Sequence, residues 1–490
     1  MRPEQARVPS RPVIPGFHPD PSICRVDGNY YLVNSSFEYF PGVPIWTSAD
    51  LRSWTQIGHV LDRIDQLPIE GTRPSRGVYA PALRYRDGLF WMITTNVSDP
   101  PGQLLVTSTS PEGPWSSPVR ISGAKGIDPD LAWDDEGRCW LSWSGEQPIG
   151  QQGILQAQLE PRTGELLTDP TVIWRGTGGQ YPEGPHLYRR GSYWYLLIAE
   201  GGTERGHAAT VARATTPNGP FEASPFNPLI TARSTSLPTQ NLGHADLVER
   251  ADGSWAVVYL GVRPRGSSPS WHVLGRETFA SEIRWIDDWP LLGEPIEPTD
   301  TPRAIETLAI PQPPAWVAAS RDLDAVMREE GSTWRIAARS GQNAFVGRPQ
   351  QHFFVCAIAR LSSRARRGGL ELRIDPHHRI GLYVEAGEVS AIATIDGRDV
   401  RLGSIETTDT TSLEIRTVPS SGAPGTPRQG PDEVILSVIA ADGAEVIGRF
   451  DGRYFSTEVA GGFTGRMIGI YAEGGEVELS RFEYAGSDEP

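Results

Sequence analysis

Residues 16–23 read Gly16-Phe17-His18-Pro19-Asp20-Pro21-Ser22-Ile23, and the chain runs on as Cys24-Arg25-Val26-Asp27-Gly28-Asn29-Tyr30-Tyr31-Leu32-Val33. An apolar run, an Asp-Gly pair and a second apolar run spell a β-hairpin with a two-residue turn. The same phrase returns at residues 82–97 with Asp87-Gly88, at 131–145 near Gly137, at 186–201 around Gly191 and at 247–261 with Asp252-Gly253. Successive turn glycines are 60, 49, 54 and 62 residues apart. All-strand repeats at a period near 50 are the mark of propeller blades, so five copies predict a five-bladed β-propeller.

Eight or nine residues before each turn glycine stand Asp20, Ala80, Asp128, Glu183 and His244. This position opens the first strand of each hairpin, which in a propeller is the innermost and lines the central channel. Three carboxylates and a histidine, scattered over 225 residues, are therefore expected at one end of one channel.

At 490 residues the chain is too long for one ordinary core, and two domains are the natural reading. Residues 1–15 read as a leader rich in Pro and Arg, and the fifth blade is expected to end near Trp289-Pro290. The stiff segment Ile310-Pro311-Gln312-Pro313-Pro314 reads as a linker. The propeller is thus assigned to residues 1–310. From about Trp316 alternation without the blade repeat predicts some ten short strands, a jelly-roll-like β-sandwich over residues 316–490. Within it, residues 419–432 read as a long flexible loop without a functional role.

A net charge of −15 argues against nucleic acid or an anionic membrane as partner. No apolar run is long enough to span a membrane, and the N-terminus lacks the apolar stretch of a secretion signal, so a cytoplasmic location is expected. Three widely spaced cysteines give no disulfide framework, and Cys24 and Cys139 fall in predicted strands as buried thiols. Most of the fifteen tryptophans are expected to pack between blades rather than to serve as sugar platforms.

Facing carboxylates across a pocket are the equipment of glycoside hydrolysis: one protonates the leaving oxygen, the other activates water or attacks directly. A third carboxylate nearby raises the acid's pKa by like-charge repulsion. Taken singly, Asp20 in Pro-Asp-Pro and Asp128 before Pro129 read equally well as turn residues, and His244 as a satisfied structural histidine. Glu183 is harder to explain that way, because a turn favours Asp or Asn. Equivalent repeat positions for all four tip the balance toward a site.

The chain resembles glycoside hydrolase family 43, in particular its β-xylosidases and α-L-arabinofuranosidases with a propeller followed by a sandwich. The resemblance is carried by Pro15 to Ser22, by Ser36-Phe37-Glu38-Tyr39-Phe40-Pro41-Gly42-Val43 and by Gly126-Ile127-Asp128-Pro129. It continues in Glu183-Gly184-Pro185-His186-Leu187-Tyr188, Gly243-His244-Ala245-Asp246, Leu274-Gly275-Arg276-Glu277-Thr278-Phe279 and Ala460-Gly461-Gly462-Phe463-Thr464-Gly465. It implies Asp20 as general base, Asp128 as the carboxylate that tunes pKa and orients substrate, and Glu183 as general acid. Inversion follows from it too, with Asp20 and Glu183 roughly 6.5–9.5 Å apart, whereas a retaining enzyme needs about 5.5 Å. Phe37 matches an aromatic wall of the terminal-sugar subsite, Arg276 a contact to sugar hydroxyls, and Phe463 a residue reaching over from the sandwich. On pattern alone Arg276 also reads as a plain salt bridge and Phe463 as sandwich core.

Tyr79-Ala80-Pro81 replaces the Trp-Ala-Pro of many β-xylosidases of the family, so Tyr79 leaves open a pyranose or a furanose. The resemblance implies no required cofactor, while allowing a hydrated structural calcium ion near His244, and it allows a homo-oligomer. The expected activity is exo-acting release of single pentoses from xylo-oligosaccharides, with an arabinofuranosidase as close alternative. A non-catalytic carbohydrate-binding propeller is the alternative of another class.

Overall fold

The computed structural model describes residues 8–145, 152–299, 305–308, 314–407, 410–421, 429–440 and 443–489. Five antiparallel sheets of four or five strands, each from contiguous sequence, form the blades. Their first strands are Ser22–Val26, Ala82–Arg86, Gly126–Trp133, Glu183–Arg190 and Gln240–Glu249. Each of these packs against the next, and the last returns to the first, closing a ring around the channel. The Asp-Gly turns work as read: Asp27 and Gly28 have φ of 49° and 87°, Asp87 and Gly88 53° and 79°, the paired positive values that match strand twist.

Alternation gives each sheet two apolar faces, and an apolar cluster fills every gap between neighbouring blades. Ile23 and Leu32 of blade one meet Val258 and Ala280 of blade five, while Leu83 and Met92 of blade two meet Val33 and Ile45 of blade one. Burying each such side chain contributes about 1.5–3 kcal/mol. The tryptophans follow this pattern: Trp46, Trp115, Trp143, Trp194 and Trp255 sit in inter-blade clusters. Cys24 and Cys139 are buried free thiols.

The N-terminal segment is more than a leader. The Val13 and Ile14 amides donate to the Thr278 carbonyl of blade five, and both side chains are buried in the cluster between blades five and one. Blade five runs through Trp289–Pro295. Most of the proline-rich linker lies outside the described residues, but the strand Ile305–Leu308 just before it already pairs with the sandwich. These four residues belong to the C-terminal sheet, and the proline run does not mark the crossing.

The C-terminal strands form a sandwich around an apolar interior that includes Leu370, Leu382, Leu413, Leu436, Ile470 and Phe482. Its strands are not all short. Thr333–Pro349 has 17 residues, and Met467–Ser487 has 21 and pairs with Arg367–Asp375 through its first part and with Phe354–Ser363 through its second. Strand alternation in the sequence is clear from Gly465 only as far as Ala472. Beyond it Gly474 and Gly475, at φ of 58° and 152°, carry the strand past a register shift against its partner. Residues 422–428 of the proposed flexible loop lie outside the described residues. The loop's end is firmly held, because Asp432 makes a buried two-pronged ion pair with Arg466.

The domains are joined by backbone as well as side chains. Tyr39–Phe40 of blade one pairs with Val317–Ala319 of the sandwich, and Phe17, Phe37 and Tyr39 pack on Val317, Phe345 and Met467. Sandwich residues thereby reach the mouth of the propeller channel.

Candidate active site

The inner strands deliver their side chains to the channel by breaking their own regularity. Asp20, Asp128 and His244 adopt φ of 52°, 56° and 47°, and register shifts occur around Asp128, Glu183 and His244. Bulges of this kind re-aim a side chain that a regular strand would turn elsewhere, at the cost of local strain. Gly184, at φ of 54°, is required next to Glu183, since a Cβ there would lie 3.0 Å from the His244 ring. All eight residues singled out from sequence (Asp20, Phe37, Tyr79, Asp128, Glu183, His244, Arg276 and Phe463) line one pocket of about 80 Å³. Ala80, Ile127 and Thr203 complete it.

Asp20 and Asp128 are buried and Glu183 is half-buried, and their surroundings push the three apart. Asp20 accepts from the Ser35 hydroxyl (2.6 Å) and the Arg276 guanidinium (2.8 Å). Burial alone would raise its pKa, but Arg276, His244, the Ser35 hydrogen bond and His207 together hold it below the usual carboxylate range. Glu183 moves the other way: burial first, then the Asp20 charge, lift it to about 7 against the pull of Arg276. Asp128, which accepts from the Gly184 amide (3.1 Å), is raised well above its ordinary value by burial and by the charges of Glu183 and Asp20. The Asp20 charge thus acts on Glu183, and the charges of both act on Asp128. Burial lowers His244 and His207 to about 4, so both imidazoles are neutral at neutral pH and Arg276 is the cation facing Asp20.

The pocket wall is aromatic and comes from both domains. The Phe37 ring lies 5.8 Å from Phe463, nearly parallel, and 5.2 Å from Tyr79. Phe463 is therefore a pocket residue rather than sandwich core. Arg276 donates to the Phe463 carbonyl (3.3 Å) and to Thr203 (3.3 Å) while pairing with Asp20, so it is neither exposed nor at the rim. Ser75 anchors this wall: its hydroxyl accepts from the Phe463 amide (2.9 Å) and its carbonyl from the Tyr79 hydroxyl (3.2 Å). The Ser75 amide in turn donates to Glu38 (2.9 Å), a carboxylate that burial raises to about 7.

Beneath the pocket the channel is charged. The Arg84 guanidinium of blade two pairs with Asp130 of blade three (2.9 Å) and Asp246 of blade five (2.8 Å). It also meets the His186 ring of blade four (2.8 Å) and Ser22 of blade one (3.4 Å), so one side chain touches every other blade. Tyr188 and Ser22 donate to Asp246 as well. Among the described residues no group of three His, Cys, Asp or Glu is placed to hold a metal ion. The channel carboxylates nearest His244 outside the pocket are already neutralised by Arg84, and this donor set does not fit a directly ligated calcium ion.

Sequence reasoning missed Ser35, Ser75, Thr203, His207 and the Arg84 cluster. A signal existed for part of it. Ser22, Asp130 and Asp246 stand two residues beyond Asp20, Asp128 and His244, the spacing that returns a strand side chain to the same face. Nothing local marks Arg84 or the Ser75 hydroxyl, whose partners are distant in the chain.

Two family profiles match consecutive parts of the chain: Glycosyl hydrolases family 43 over residues 9–290, and Beta xylosidase C-terminal Concanavalin A-like domain over residues 307–484. With this coverage the chain belongs to glycosyl hydrolases family 43 and is a glycosidase. It is 34% identical over 511 residues to the non-reducing end alpha-L-arabinofuranosidase BoGH43B of Bacteroides ovatus, covering 94% of this chain and 91% of the relative. It is 43% identical over 296 residues to a xylosidase/arabinosidase of Butyrivibrio fibrisolvens, covering 58% of this chain and 56% of that protein. Among solved structures, xylan beta-1,4-xylosidase from Bacillus halodurans aligns with a TM-score of 0.87 at 29% identity, over 98% of this chain and all of that one.

Proposed function

We propose that this chain is an exo-acting, inverting glycosidase that removes single pentoses from the non-reducing ends of xylo-oligosaccharides. The observation that carries this reading is a one-sugar pocket holding two carboxylates driven in opposite directions, Asp20 below the usual carboxylate range and Glu183 up to about 7. In it, Glu183 gives its proton to the glycosidic oxygen as the bond to the anomeric carbon breaks. Water attacks that carbon from the opposite face while Asp20 takes its proton, so the released sugar has the inverted configuration. Afterwards Asp20 is protonated and Glu183 ionised, and exchange with solvent restores both. Arg276 keeps Asp20 charged and, together with Phe37, Tyr79 and Phe463, borders the sugar. Asp128, raised by burial and by its two carboxylate neighbours, borders the same sugar.

A second reading has a specific observation behind it. One relative matched along 94% of the chain is named an alpha-L-arabinofuranosidase, and Tyr79 narrows the wall less than a tryptophan would. Hydrolysis of 4-nitrophenyl β-D-xylopyranoside and 4-nitrophenyl α-L-arabinofuranoside, with Asp20→Ala as control, separates the two. Dominant xyloside turnover is expected. Dominant arabinofuranoside turnover makes the second reading correct, and no turnover of either by folded protein overturns both in favour of a binding propeller.

A further inference from the structure

The pocket does not open directly to solvent on every side. Past Glu183, Thr203, Arg276 and Phe463, which it shares with the pocket, the cavity widens into a groove of about 770 Å³. That is nearly ten times the pocket and lies within the range, roughly 300–1,000 Å³, that takes a ligand of several rings. One wall comes from blades four and five and the other from the sandwich helix Thr457–Ala460 and the glycines after it. A hydrogen bond between His272 and Glu458 (2.6 Å) ties the two walls together, and the groove is complete only when both domains are present.

The groove lies on the acid's side. Glu183 protonates the oxygen of the departing group, and so whatever lies beyond Glu183 is leaving group rather than the terminal sugar. At this point stands Tyr181, two residues before the acid and 54% exposed. Its backbone is held at φ of 52°, and its ring leans over Gly202, where a Cβ would come within 3.2 Å. An open aromatic face on a fixed backbone, next to a groove lined by polar side chains, is the arrangement that stacks a sugar ring.

We propose that this groove binds the leaving-group oligosaccharide over more than one sugar unit, with Tyr181 as the stacking platform for the unit next to the scissile bond. The proposal rests on the pentosidase reading above and adds its substrate class: oligosaccharides in which the terminal pentose is carried by several further sugars, in preference to disaccharides. The two-domain walls make leaving-group length, and not terminal sugar alone, a determinant of specificity.

The test measures kcat/KM of the full-length enzyme on the methyl glycoside, the disaccharide and the linear tri-, tetra- and pentasaccharides of the preferred pentose. The expected result is a rise from disaccharide to tetrasaccharide that then levels off. In Tyr181→Ala the ratio of tetrasaccharide to methyl glycoside falls about tenfold, mostly through KM. Tyr181→Phe restores most of that ratio, which a change that merely disturbed Glu183 would not do. Equal kcat/KM for all lengths, or equal losses on the methyl glycoside and the tetrasaccharide, overturns the proposal. Absence of turnover of both 4-nitrophenyl glycosides overturns the underlying reading instead, and the groove proposal falls with it.

Discussion

The propeller and the sandwich bury opposite things at their centres. The sandwich closes on aliphatic side chains such as Leu370, Leu413 and Leu436, whereas the axis of the propeller holds Arg84 among Asp130, Asp246, His186 and Tyr188. Apolar contact in the propeller has moved outward, into five separate seams between blades. A sandwich core is indifferent to which aliphatic group fills it, within limits of volume. A charged axis is not, since each carboxylate there needs its partner. The difference shows why chemistry sits at the propeller axis: it is already a place where buried charge is supported by neighbours on all sides.

The sharpest break of this contrast is at the pocket itself. Glu183→Gln is expected to lower kcat on natural linkages by about 10³-fold, with a smaller loss on 4-nitrophenyl glycosides, whose leaving group needs less protonation. Equal losses on both classes would remove Glu183 from the acid role. In the parent enzyme, kcat/KM should decline above pH 7 as Glu183 gives up its proton, and its acid limb should lie below the usual carboxylate range because Asp20 is held ionised. Steady-state rates from pH 3 to 9 test both limbs.

Next in size is the axis. Arg84→Met leaves Asp130 and Asp246 buried without their cation, which should cost about 3–5 kcal/mol in denaturant unfolding. Leu413→Ala in the sandwich should cost about 2–5 kcal/mol through a cavity. A tolerated Arg84→Met would show that the axis does not depend on its charge balance.

The smallest effect concerns Glu38, the buried carboxylate behind Ser75. Its pKa is about 7 in the folded protein against an ordinary value of 4.5. Between these values the unfolded chain has lost the proton and the folded chain keeps it, so Glu38 lowers stability as pH rises through this window. Glu38→Gln, whose amide oxygen still accepts from the Ser75 amide, should therefore raise Tm by a few degrees at pH 8 and leave it unchanged at pH 4. Calorimetry at the two pH values decides it, and an equal shift at both would mean that Glu38 stays ionised or stays neutral throughout.

What the sequence made legible was whatever repeats. The Asp-Gly turns and the position eight or nine residues before them located all five inner strands and gathered Asp20, Asp128, Glu183 and His244 at one end of one channel. Features made once were hidden. Arg84 reaches across to four other blades, and no repeat position records the length of a side chain. Ser75 matters through a hydroxyl that meets Phe463, 388 residues away. The crossing at Ile305–Leu308 and the strand that continues through Gly474-Gly475 were obscured because proline and glycine have the same local appearance whether they end an element or bend it.

The short pairing of Val13 and Ile14 with Thr278 has a bearing on how the molecule is made. Every blade is woven from its own stretch of chain, and this pairing, with the hydrogen bonds of Gly16 to Glu277 and of His18 to Arg276, stitches the leading segment to the last blade. During vectorial synthesis on the ribosome the first four blades can each zip up as they emerge, while the leading segment waits, its apolar side chains uncovered. Only when Thr278 has left the exit tunnel can it dock, and the growing chain then passes from a row of hairpins to a closed ring.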